Sequence, residues 1–181
     1  MLLDGAPRDR DTSASVMTTN GYAMYHIYPR GLQTHDSFSS SIDASITLAS
    51  MPYMNENYTG SGGAFIVDIA NTNGRVDLAV PLAPLGSSIA LTSKTSNSGH
   101  KVRLHRAFEG SFQLSTSNST VGVTSDLNPD DDPRGEGSRP NLVLSKNTSN
   151  LIEGLFWWGS STSSSVAEVR TSNGPINLTF I

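Results

Sequence analysis

The sequence predicts an all-β protein, and three observations carry that prediction. Apolar and polar residues alternate strictly in short runs: Phe65, Val67 and Ile69; Val76, Leu78 and Val80; Val102 and Leu104; Phe112 and Leu114; Ile176 and Leu178. A period of two sends successive side chains to opposite faces of a strand. The same turn signal stands before several of these runs. The composition argues against helices, since Ser and Thr make up roughly a quarter of the chain and charged residues only 15%. Exposed helix faces are usually rich in Glu, Lys and Arg. No stretch places apolar residues at helical spacing over three turns, so little or no α-helix is expected.

The turn signal is T-x-N-G. Thr72-Asn73-Gly74 leads into Arg75-Val76-Asp77-Leu78, and Thr171-Ser172-Asn173-Gly174 into Pro175-Ile176-Asn177-Leu178. Two looser copies, Thr95-Ser96-Asn97-Ser98-Gly99 and Thr116-Ser117-Asn118-Ser119, precede Val102 and Val121. Asn73 to Asn97 spans 24 residues and Asn97 to Asn118 spans 21, so one cycle covers two strands and two turns. Self-similarity of this kind predicts a repetitive stack of short strands, a β-solenoid, with an antiparallel β-sandwich as the alternative. Asn-Gly suits a tight reversal because it tolerates positive φ, so Gly74 and Gly174 are expected in that region.

Along the chain, residues 1–20 are polar with no hydrophobic period and read as a flexible arm. Residues 21–181 read as one all-β domain. Tyr22 to Tyr28 alternates until Pro29-Arg30-Gly31. Ser41 to Leu48 forms a cleaner strand with Ile42, Ala44, Ile46 and Leu48 on one face. Residues 50–63 read as a loop, and the regular part begins at Ala64. Asn128 to Pro140 interrupts it as an inserted acidic loop, before the final cycle from Val166 to Phe180. The alternation places Val76, Leu78, Val102, Leu104, Phe112, Leu114, Val121, Ile176 and Leu178 in the core.

A chain of 181 residues suffices for a core without staples. The absence of cysteine excludes disulfides, thiolate metal sites and cysteine nucleophiles. A net charge of −4 argues against nucleic acid as a partner. Neither a leader nor an apolar run of membrane length stands in the sequence, which makes the cytoplasm the default expectation. The four N-x-S/T sequons, at Asn57, Asn118, Asn147 and Asn177, match the number that chance supplies.

The segment from 64 to 181 resembles adhesin-like repeat domains, in which S-x-x-G-x-V-x-L units recur along a β-solenoid. More narrowly, it is similar to a fungal domain family of unknown function. The pieces that carry the likeness are Gly110-Ser111-Phe112-Gln113-Leu114 with Thr116-Ser117-Asn118, the polar loop Asp130 to Pro140, Trp158-Gly159, and Thr171 to Leu178. Ser119 departs from the pattern, which has Gly there, and residues 1–60 lie outside the likeness. The resemblance implies a fold and an adhesion-like or binding role, with no catalytic residues and no cofactor to carry over.

Candidate chemistry is sparse. Asp130, Asp131, Asp132 and Glu136 gather hard oxygen ligands that suit calcium, yet they lack D-x-D-x-D-G spacing, and a solvated loop is the plainer reading. Lys101, Arg103 and His105 share one strand face, with His100 and Lys94 nearby, as a surface for acidic groups. Phe156-Trp157-Trp158 is the densest aromatic cluster. An exposed indole there, Trp157 or Trp158, offers a flat face for stacking on a sugar ring. No G-x-S-x-G, H-E-x-x-H, Walker or G-x-G-x-x-G element is present.

A non-catalytic binding or scaffolding module that recognises glycans or a protein surface is therefore the leading expectation. A carbohydrate-active lyase or hydrolase on a solenoid is the first rival. A self-assembling, homo-oligomeric structural protein is the second, since unpaired edges invite pairing.

Overall fold

The alternating segments form strands, and the strands form two sheets. The computed structural model describes residues 13–15, 21–27, 31–35, 41–48, 62–160 and 164–181. Within them lie β1 (Ser13–Ser15), β2 (Gly21–Ile27), β3 (Gly31–His35), β4 (Ile42–Leu48), β5 (Ala64–Ala70), β6 (Val76–Leu82), β7 (Ser88–Lys94), β8 (His100–Leu104), β9 (Gly110–Thr116), β10 (Val121–Ser125), β11 (Pro140–Asn147), β12 (Leu151–Trp158), β13 (Ser165–Thr171) and β14 (Ile176–Phe180). The sole helical element among the described residues is a 3₁₀ turn at Pro129–Asp131. Ser13–Ser15 falls inside the segment expected as an arm and pairs with β3. Most of the expected loop at 50–63 lies outside the described residues.

Eight strands run in the order β1-β3-β5-β7-β13-β9-β12-β11 and six in the order β10-β14-β8-β6-β4-β2. Up to β10, successive strands alternate between the sheets. All pairs in the six-stranded sheet are parallel. The eight-stranded sheet is parallel from β1 to β9, and β12 and β11 continue it antiparallel. The T-x-N-G turns therefore join strands of different sheets, not hairpin partners.

That arrangement overturns the expected turn geometry. Gly74 and Gly174 are not among the glycines with positive φ. Four equivalent turns stack on one another instead. Asn97 Nδ2 donates to Asn73 Oδ1 at 2.6 Å, Asn173 Nδ2 to Asn97 Oδ1 at 2.8 Å, and Asn118 Nδ2 to Asn173 Oδ1 at 2.8 Å. Inside this ladder, Thr95 donates to Gly74 O, Thr171 to Ser98 O and Thr116 to Gly174 O. Glycine is needed at 174 because a Cβ there would lie 2.1 Å from the Ser98 carbonyl. Ser98 and Ser119 hold the equivalent place in neighbouring turns, consistent with an ordinary backbone conformation there.

The core lies between the inner faces. Every residue of the expected core is buried except Val121, which is half-buried on the edge strand β10. The residues flanking these core positions are mostly half-buried, because each sits beside a side chain of the next strand. Phe156 and Phe180 stack at 4.0 Å, with Phe108 and Phe112 on the same Phe180 ring. Each such ring contributes on the order of 2–3 kcal/mol by burial. One layer breaks the apolar rule. Ser93 and His100, 3.2 Å apart, stand where adjacent layers carry Ile69 with Val76 and Val169 with Ile176.

Candidate functional site

The outer face of the eight-stranded sheet carries a row set by register that is apolar except at Ser111. Ile66, Ala90, Val166, Ser111, Leu155 and Val143 are successive ladder partners on β5, β7, β13, β9, β12 and β11. Val166, Leu155 and Val143 are each about half exposed. The sequence shows them only as outward members of alternating strands, since the row exists once the strand order is known.

Two residues further along each strand lies a polar row. Arg170 pairs with Glu168 at 2.6 Å and donates to Gln113 Oε1 at 3.0 Å, while Gln113 donates to Glu153 Oε1 at 2.6 Å. An open groove of about 540 Å³ runs between the rows, lined by Val143, Leu155 and Val166 on one side and Gln113, Glu153 and Glu168 on the other. Planar amide, carboxylate and guanidinium groups there meet a strip of methyl groups. Such a surface matches an amphipathic ligand with polar edges and an apolar face.

Trp157 belongs to this outer face, two residues beyond Leu155 and opposite Asn141 of β11. It is half-buried, and its indole N–H donates to Gly159 O at 3.1 Å. Trp158 points the other way. It is 1% exposed, donates to Arg106 O at 2.7 Å and packs edge-on against Phe156. The period of two that opens Trp157 makes Trp158 a core plug and removes it from any stacking surface.

Lys101 and Arg103 face outward on β8, in the other sheet, so they do not join Trp157 in one site. Arg103 is held by Asp77 at 3.0 Å. The two nearby histidines add no charge at neutral pH. Burial lowers His100 to about 4, and its Nε2 has no hydrogen-bond partner among the described residues. Burial, reinforced by Arg106, lowers His105 to about 4 as well, and that residue lies past the end of β8. Two of the five residues of the expected basic patch are thus neutral, because burial desolvates them.

Two carboxylates of the acidic loop, those of Asp131 and Asp132, are engaged in holding the fold. Asp131 accepts from Asn128 N and pairs with Arg106 at 3.3 Å. Burial raises the Asp132 pKa, but the backbone N–H groups of Arg134 and Ser138 outweigh it and hold the carboxyl below its usual range. No three acidic or histidine side chains converge as a metal site among the described residues. The loop is latched by a residue that sequence reasoning missed. Glu109, 3% exposed, accepts two hydrogen bonds from Arg134, at 2.7 and 2.6 Å, and one from the Trp158 backbone at 3.2 Å. Its position beside Gly110 at a break in the alternation was the available signal.

The chain belongs to a family described as a domain of unknown function, DUF7330, matched over residues 32–180. The match begins well before residue 64, where the resemblance in the sequence started. No curated protein matches. Among solved structures, the chain is similar to a provisionally assigned cell adhesion protein from Clostridium sporogenes, with a TM-score of 0.40 and 11% identity. That likeness covers 78% of this chain and 56% of the other. No helix among the described residues is long and apolar enough to cross a membrane.

Proposed function

We propose that residues 21–181 are a single non-catalytic, adhesin-like module, a stack of two-strand coils that binds glycans on the outer face of the eight-stranded sheet. The observation that carries the reading is the half-buried Trp157, on the outer face beside Leu155, Val143 and Val166, with the Gln113–Glu153–Glu168–Arg170 network along the flank of that row. A sugar ring has C–H faces and a hydroxyl rim. Its faces suit the indole and the methyl row, and its rim suits the amide and carboxylate oxygens. The strand registers from β13 through β9 and β12 to β11 keep these groups at fixed spacing, which limits the entropy lost on binding. Glu153 and Glu168 already have hydrogen-bond or ion-pair partners, which supports binding over acid–base chemistry. A glycan array run with the intact protein and with Trp157→Ala, with and without calcium, tests the reading. Expected is calcium-independent binding to a defined glycan class that the variant weakens. Hits that survive Trp157→Ala unchanged, or release of cleaved sugar, refute it.

A further inference from the structure

Chain order and spatial order disagree at one place. The four stacked asparagines run 73, 97, 173, 118, and both sheets repeat the interruption, with β13 between β7 and β9 and β14 between β8 and β10. The chain lays β9 and β10 two strand spacings from β7 and β8, roughly 9.6 Å. That leaves a slot through both sheets, which the pair Ser165–Phe180 fills. On one side β13 is registered against Ala90–Lys94, and on the other against Gly110–Thr116. Strand β14 is registered against His100–Leu104 and Val121–Ser125. Upstream, the insert follows β12 after the tether Gly159–Ser164 (Gly-Ser-Ser-Thr-Ser-Ser), and β12 and β13 lie on opposite sides of β9.

We propose that this slot is an interaction site for the β13–β14 pair of a second copy of the chain, so that two copies exchange inserts reciprocally. Backbone ladder bonds and the Asn97, Asn118 and Ser98 contacts are the same whichever chain supplies the insert. The balance between closed monomer and exchanged dimer is then set by tether strain and protein concentration. During synthesis both walls of the slot precede the insert. An open slot therefore meets either its own insert or a neighbour's. Once filled, it holds the insert by ladders on four edges, so exchange belongs to folding and refolding.

The chain contains no cysteine, so an engineered pair reports the exchange cleanly. Ala90 and Val166 are ladder partners on the outer face, within the Cα spacing a disulfide accepts. The Ala90→Cys/Val166→Cys protein is unfolded under reducing conditions and refolded at micromolar and near-millimolar concentration. It is then oxidised and run on a non-reducing denaturing gel. Expected are intrachain disulfides at low concentration and, at high concentration, a disulfide-linked dimer whose fraction rises on the order of ten-fold. Deleting Ser161–Ser163 should raise it further, since a short tether crosses β9 poorly. Native β-sheet circular dichroism establishes folding, and if the shortened protein fails to fold, the full tether decides alone. Intrachain disulfides only at high concentration overturn the proposal. So does equal dimer from either single-cysteine variant, which would report random collision.

Discussion

Gly174→Ala separates two explanations of the same glycine. If its role were to supply positive φ, alanine would cost about 1 kcal/mol, the usual left-handed penalty. The structure assigns a different role, because a methyl group at 174 would sit 2.1 Å from both atoms of the Ser98 carbonyl and 2.4 Å from Gly99 N. Ordinary contact needs about 3.5 Å, so the two turns must separate by roughly 1.4 Å. Five hydrogen bonds cross that gap. They are Asn173 Nδ2 to Asn97 Oδ1 at 2.8 Å, Thr171 Oγ1 to Ser98 O at 2.8 Å, His100 N to Pro175 O at 2.8 Å, and the Ser172 and Asn173 N–H groups to Ser96 O. Losing three of them at about 1 kcal/mol each gives a destabilisation of about 3 kcal/mol. Overpacking in a closely fitted site costs a similar amount.

Gly86 supplies the control. Its φ is +68°, and a Cβ there meets nothing within 4 Å. Gly86→Ala should therefore cost about 1 kcal/mol from conformation alone. Urea unfolding followed by circular dichroism measures both variants, and Gly174→Ala should also lower Tm by roughly 6–12 °C. A Gly174→Ala change within about 0.5 kcal/mol of the parent, or smaller than that of Gly86→Ala, would refute the close-approach argument.

Trp157→Ala should weaken glycan binding by roughly 1–3 kcal/mol with little loss of stability. Trp158→Ala should cost about 3–5 kcal/mol of stability by opening a core cavity; equal thermal shifts for the two would count against their assigned faces. In the Asn ladder, Asn97→Ala removes two side-chain bonds and Asn118→Ala one. The first should cost about twice the second, on the order of 1–2 kcal/mol by denaturant midpoint. Acid should destabilise the fold through His100, whose pKa burial lowers to about 4. Above about pH 6.5 both states are neutral there and the stability is fully present; below it the unfolded chain protonates first, and about 1.4 kcal/mol is lost per pH unit down to about 4. The double variant Ser93→Val/His100→Ile restores the apolar pair of adjacent layers and should remove His100's share of that slope in urea titrations between pH 7 and 4, leaving the share of His105, which burial lowers to the same range. An unchanged slope would place the acid sensitivity elsewhere.

The strands were legible because alternation is a local property. A burial pattern such as that of Gly110–Thr116 follows from which side chains are apolar, whatever the strand pairs with. The same rule separates Trp157 from Trp158, although not which indole turns inward. What escaped local reading was pairing. Backbone ladders are nearly blind to sequence, so Thr-Ser-Asn-Gly serves equally as a hairpin turn or as a step between sheets. The hairpin assumption is why positive φ was expected at Gly174. The uncharged histidines and the Glu109–Arg134 latch escaped for a related reason, since burial and a partner 25 residues away are properties of the packed chain.

From the sequence alone came the all-β class, the strands within 41–48, 64–125 and 165–180, the four equivalent turns, the inward residues and the membership of Trp157 in an aromatic cluster, whereas β1, β3 and β11 went unread. Each depends on residues a few positions apart. The tertiary structure decided that β13–β14 enters between two earlier layers, that the apolar row spans six strands, and that Lys101 and Trp157 lie on different sheets. Each of these depends on which strands become neighbours. That choice is made by inner-face packing and turn stacking summed over the whole molecule, and no short window of residues contains it.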